Sequence, residues 1–238
     1  MNKWLKNHIY LLFLLPGLLL YGAFMVYPLL SALVYSLFSW DGLVRGGFSG
    51  LANFKTVLTG VAYKERFWGA FLHNCLFFII TFGLQTTIGL YLAVKLSRKR
   101  PGMEFFQTVY FTPYTLSMVV VGYLWLQLLN PTWGALTQGL RMVGLSGWVH
   151  PWLGQKSTAL ITVILVNFWR WIGFPILVFK AGLMGIPVEM NEAAIVDGAN
   201  RAQIFRYVTL PLLIPTITMV TILTFIWDFN AFDLVFVM

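Results

Sequence analysis

The sequence predicts an all-α, polytopic helical membrane protein, and three observations carry that prediction. Of 238 residues, 59% are hydrophobic and only 10% are charged, against about 25% charged in an ordinary soluble domain. The apolar residues are grouped in long runs separated by short charged stretches. Several of those runs reach the roughly 20 residues that a helix needs to cross a bilayer. A soluble enzyme, a disordered tail and a disulfide scaffold are thereby excluded. The lone Cys75 permits neither an internal disulfide nor a cysteine metal cluster.

Five spans follow in order. The first covers about 9–38; its apolar run far exceeds the roughly 7–15-residue core of a signal peptide, and no small-x-small cleavage site follows, so it reads as uncleaved. Pro16-Gly17 and Pro28 are expected to break or kink it. The second span is about 71–96. The third, about 105–129, contains Pro113, and the fourth, about 158–181, contains Pro175. The fifth opens after Pro211 and covers about 212–238. Residues 1–238 read as a single transmembrane domain, and the chain is expected to be incomplete at its carboxyl end, because it stops on an apolar residue of a span.

Short loops rich in Lys and Arg stay on the cytoplasmic side. An inside amino terminus puts nine basic residues there: Lys3, Lys6, Lys95, Arg98, Lys99, Arg100, Lys180, Arg201 and Arg206. Six fall outside: Arg45, Lys55, Lys64, Arg66, Arg141 and Lys156. The net charge of +8 is thus a topology signal and no nucleic-acid patch. The most polar inner loop is then 182–211.

That loop has its own design. Pro187 suits a first helical turn, and Glu189 and Glu192 complement the positive end of the helix dipole. Ala193 and Ala194 let another surface approach the backbone. Asp197-Gly198 ends the helix, Gly accepting a left-handed conformation. Asn200 can cap a second helix with Gln203 as reciprocal partner. Phe205 and Val208 give that helix an apolar face, and Leu210-Pro211 turns the chain back into the membrane. These residues alone leave two readings open, a docking element and a solvated hairpin between spans.

The stretch resembles the EAA loop of bacterial ATP-binding-cassette importer permeases: Glu-Ala-Ala, three residues, Gly, nine residues, Ile-x-Leu-Pro. Glu192, Ala193, Ala194, Gly198, Leu210 and Pro211 match at that spacing, with Val208 in place of Ile. Leu15-Pro16-Gly17, Tyr27-Pro28, the segment from Phe48 to Phe54, Ala181-Gly182-Leu183 and the segment from Trp227 to Asp233 are similar to the sugar-transporting branch. The resemblance implies six core spans, so the last is expected to be missing here. It also implies an ATPase-coupling role for Glu192, Ala193, Ala194, Asp197, Gly198, Leu210 and Pro211. The implied partners are a second, related permease subunit, two ATP-binding subunits and an extracytoplasmic solute-binding protein, with ATP and Mg bound by the ATPases. No Gly-x-x-x-x-Gly-Lys-Ser/Thr loop occurs in this chain, so no cofactor and no hydrolysis are expected of it.

A substrate path needs polar groups at membrane depth, which are costly and usually face an interior cavity. Arg170 lies roughly 20 Å into the fourth span at 1.5 Å per residue, between Trp169 and Trp171 and near Asn167. Asp228 and Asn230 lie in the outer half of the fifth. Aromatic faces beside amide and carboxylate acceptors suit a sugar. A structural reading stands beside this one, in which Arg170 pairs with Asp228 and holds two spans together. Gln85, Gln127 and Asn74 read as interhelical hydrogen-bonders; Trp125, Trp133, Trp148 and Trp152 as interfacial anchors or outer-loop packing. His8, His73 and His150 are too dispersed for a metal site. The sequence therefore reads as one permease subunit of an ATP-driven, binding-protein-dependent sugar importer in a bacterial cytoplasmic membrane. The alternative is an ion-gradient-driven secondary transporter using Asp228 and Arg170. An intramembrane enzyme would need a facing nucleophile and base, and none is evident.

Overall fold

The computed structural model of the chain describes residues 13–97 and 101–238. Lys3, Lys6, His8, the Arg98-Lys99-Arg100 cluster and the start of the first span lie outside the described residues. The described chain falls into two compact units that divide at Phe71 and Leu72. Within it, three helices are long and apolar enough to cross a membrane, or up to five when each of two bent helix pairs is counted as one span.

The first unit holds α1 (Phe13–Tyr35), an antiparallel hairpin of β1 (Phe38–Asp41) and β2 (Val44–Phe48), and α2 (Ala52–Thr59). No break occurs at Pro16-Gly17. The helix instead widens to π-helical bonding over Gly22–Val26. Pro28 explains this: it lacks an N–H, and its ring crowds the carbonyl four residues back. Shifting the Tyr27 N–H onto the Gly22 carbonyl relieves that conflict without ending the helix. Gly42, at φ +60°, is the first of the two turn residues in the hairpin, where a two-residue loop demands a positive φ. Asn53 then fastens the unit. Its side-chain amide donates to the carbonyls of Ser36 and Phe38, each at 2.8 Å.

The second unit begins inside α3 (Lys64–Leu96), a helix of 33 residues and so about 50 Å long. It starts ahead of the expected residue 71, which sets Lys64 and Arg66 in its first turns rather than in a loop. The third span is two helices, α4 (Met103–Phe111) and α5 (Met118–Leu128), joined through a 3-10 turn at Thr112–Thr115 and bent by 100°. Pro113 withholds one backbone donor, and the extended Leu116 (ψ 146°) completes the break. A straight helix over 105–129 is therefore not what forms.

After α6 (Ala135–Met142), the fourth span is the pair α7 (Lys156–Trp171) and α8 (Gly173–Met184), bent by 47° just before Pro175. Next come α9 (Val188–Val196) and α10 (Arg201–Ile204), the latter prolonged by a π-helical stretch at Phe205–Thr209 and a short turn at Leu210–Leu212. The fifth span is α11 (Ile214–Phe229), followed after a break at Asn230 and Ala231 by α12 (Phe232–Val237).

The interior of this second unit is layered. Phe77, Val121, Ile164, Val166 and Leu234 form one apolar cluster; Leu90, Ala93, Phe179, Leu213 and Val220 form another. Between them along α3, α7 and α11 lie the buried polar residues Thr81, Gln85, Asn167, Arg170, Thr224 and Asp228. Apolar burial on both sides supplies the cohesion, and the polar layer must then satisfy itself from within.

Candidate functional site

Helical spacing builds the polar layer. Thr81 and Gln85 stand four residues apart on α3, as do Thr224 and Asp228 on α11, so each pair shares a helix face. The Thr224 hydroxyl donates to Gln85 Oε1 at 2.9 Å. One turn along, Asp228 Oδ1 accepts from Asn167 Nδ2 at 3.1 Å, with Thr81 as its other polar neighbour. Three spans thus meet at the carboxylate. Asn167 is 1% exposed and Asp228 5%.

Arg170 follows Asn167 by three residues and is 8% exposed. It does not bond to Asp228. Nε and Nη2 both donate to the carbonyl of Leu116, at 3.2 and 2.8 Å, and the guanidinium carbon lies 4.8 Å from the centroid of Trp171. In a continuous helix the Leu116 carbonyl would serve the N–H of Val120; the break leaves it free, and Arg170 takes it. The sequence left open a pairing of Arg170 with Asp228; in this structure each holds a different partner.

Beside Arg170 is an aromatic group that composition alone did not single out. Trp171 stacks on Trp227 with centroids 4.3 Å apart, while Tyr114 meets Trp171 edge-on at 5.1 Å and Phe174 meets Trp227 at 5.0 Å. The other two candidates are less central. Trp169 turns partly outward and touches Trp125 edge-on. Asn230 closes the end of α11 by donating to the Ile226 carbonyl at 2.7 Å. Asn74, Asp228, Asn230, Phe232 and Phe236 line a cavity of about 660 Å³. Of the expected interhelical bonders, Gln85 does that work and Asn74 lines this cavity. Thr81 and Thr224 went unremarked in the sequence; their four-residue spacing from Gln85 and Asp228 was the available signal.

The loop at 182–211 takes the local form its sequence specifies. Pro187 precedes α9 as its cap, one position ahead of the expected first turn. Gly198 adopts φ +80°, the left-handed terminus. Asn200 accepts from the N–H groups of Ala202 and Gln203, and Gln203 Oε1 accepts from the Asn200 N–H at 2.7 Å, a complete capping box. Phe205 and Leu210 turn inward onto the cluster of Leu90 and Phe179. Glu192, Ala193, Asp197 and Pro211 are exposed, and Ala194 is half-buried. Among the described residues no group of histidines, cysteines and carboxylates forms a metal site.

Apolar helices of spanning length, with a buried polar layer inside the second unit, define a multi-pass helical membrane protein. Residues 85–237 match the family of binding-protein-dependent transport system inner membrane components, and the chain belongs to that family. It is 35% identical over 234 residues to a probable ABC transporter permease protein of Pyrococcus horikoshii, covering 94% of this chain and 79% of that one. A multiple sugar-binding transport system permease protein of Streptococcus mutans is 32% identical, covering 94% and 75%. Among solved structures, the fold matches a bacterial ABC transporter involved in the import of the acidic polysaccharide alginate, with a TM-score of 0.76, 24% identity and coverage of 93% and 74%.

Proposed function

We propose that the chain is one of two related permease subunits in an ATP-driven sugar importer. The subunit sits in a bacterial cytoplasmic membrane with its amino terminus inside, and works with two ATP-binding subunits and an extracytoplasmic solute-binding protein. ATP and Mg stay on the ATPases. The observation that carries this reading is the exposed α9–Gly198–α10 turn, in a chain of this transport family. Ile195 and Val196 are 62% and 87% exposed beside Glu192 and Asp197, so the turn offers an apolar and acidic face left uncovered by the described residues. Ala193 and Ala194 permit close approach of an ATPase groove, and Leu210-Pro211 joins the turn to the fifth span.

Movement of the turn passes through the π-helical stretch into α11, which carries Thr224 and Asp228. A sugar moving through the subunit would meet Asn167, Trp169, Arg170, Asp228 and Asn230, together with Trp171 and Trp227. Relatives named for sugar uptake support that substrate class. The test is reconstitution of the chain with a second permease, the ATP-binding subunits and a solute-binding protein in proteoliposomes, followed by uptake of a labelled oligosaccharide. Uptake is expected to require ATP and both ATPases. Uptake that follows an imposed ion gradient in their absence would overturn this reading in favour of a secondary transporter.

A further inference from the structure

We infer that Arg170 and Asp228 are partners in a second conformation of the transporter: Arg170 exchanges the Leu116 carbonyl for the Asp228 carboxylate as the third span straightens. Four observations lead there. Both side chains are more than nine-tenths buried at membrane depth, and each keeps an atom without a hydrogen bond, Arg170 Nη1 and Asp228 Oδ2. Buried opposite charges that each lack an ionic partner are a costly arrangement. The two are within reach, because Asp228 is held by Asn167, one helical turn from Arg170 on the same face of α7. Finally, the acceptor that holds Arg170 away exists only because the third span is bent by 100° at Leu116.

That last point makes the arrangement two-state. If α4 and α5 become continuous, the Leu116 carbonyl is taken by the Val120 N–H and Arg170 loses its acceptor. Asp228 Oδ2, in the same buried layer and without a hydrogen bond, is then open to it. Asn167 keeps Oδ1, so the exchange leaves no new orphan in the layer. Bend and ion pair are alternatives, and a force on either shifts the other.

The existence of a second state rests on the importer reading, so wild-type uptake is measured first and separately. The complete complex is then prepared as wild type, R170Q, D228N and R170Q/D228N. Uptake per assembled complex is expected to fall roughly tenfold in each single variant, because each leaves a buried charge without its partner in one state. The double variant should lose no more than the weaker of the two single variants, since with both charges gone neither is left without its partner. Thermal midpoints are compared in the resting complex and in the complex trapped with ATP and vanadate; coupling between the two positions should be present in one state and absent in the other. Multiplicative losses of about a hundredfold in the double variant, or equal coupling in both states, would overturn the exchange while leaving wild-type transport intact. If the single variants do not assemble, R170K, D228E and R170K/D228E, which keep both charges, are compared by thermal midpoint alone: coupling in one state and not the other supports the exchange, and equal coupling in both overturns it.

Discussion

Arg170 holds Leu116 by two donors on one carbonyl, which makes a side chain of the fourth span the cap of a broken helix in the third. Replacing it with leucine leaves a half-buried carbonyl unpaired. Arg170→Leu is expected to cost about 1–3 kcal/mol of stability, read as a lowered thermal midpoint of the purified complex. An unchanged midpoint would mean that the break stands without its cap.

A second contact between the same spans rests on the absence of a side chain. A Cβ on Gly173 would lie 2.6 Å from the Tyr110 carbonyl oxygen and 2.7 Å from the Phe111 Cα, both backbone atoms that cannot rotate aside. Gly173→Ala should therefore destabilise by about 1–3 kcal/mol. Gly83, also helical, has nothing within 4 Å of the same position, so Gly83→Ala should stay within about 0.5 kcal/mol of wild type. Equal midpoints for the two variants would refute the close approach.

Asn53 makes a local prediction. Asn53→Ala removes both bonds between α2 and the chain around the hairpin, a loss of about 1–3 kcal/mol. Amide exchange over residues 38–48 should accelerate by tenfold or more at about 1.4 kcal/mol per decade, with exchange in α11 unaltered.

Gly198 separates conformation from contact. Its Cβ site is empty of neighbours, so a substitution acts through the backbone at φ +80°, where most side chains cost about 1–2 kcal/mol and Asn much less. Gly198→Val is expected to insert and accumulate normally yet lose uptake and substrate-stimulated ATPase activity. Gly198→Asn should keep most of both. Equal activity in the two would show that the turn does not set the coupling geometry.

These residues also show what was legible beforehand. The turn at Gly198 and the box between Asn200 and Gln203 were readable because each rests on local backbone chemistry that three or four residues determine. The hairpin at Phe38 to Phe48 is equally local, since a glycine at the first of two turn residues, between aromatic and β-branched neighbours, is a turn signal. The bend at Leu116 was not readable. Pro113 marked a weak point, but the carbonyl that the bend frees is taken by Arg170, 54 residues away. The partner choices of Arg170 and Asp228 were hidden for the same reason, being set by how three spans pack. Spans were visible by length and composition, and their ends were displaced wherever a helix outran the apolar run, as α3 does at Lys64.

The two π-helical stretches share one more property. Each ends two residues before a proline, Gly22–Val26 ahead of Pro28 and Phe205–Thr209 ahead of Pro211. A π turn is an α-helix with one residue inserted, and the proline is what makes the insertion worth keeping. Deleting the extra residue alone drives the ring into a carbonyl; replacing the proline alone leaves a bulge with no purpose. Changing both restores an ordinary helix with the flanking faces still aligned. At the junction of α10 and α11, a one-residue deletion and the loss of Pro211 are therefore a matched pair, tolerable together and damaging apart.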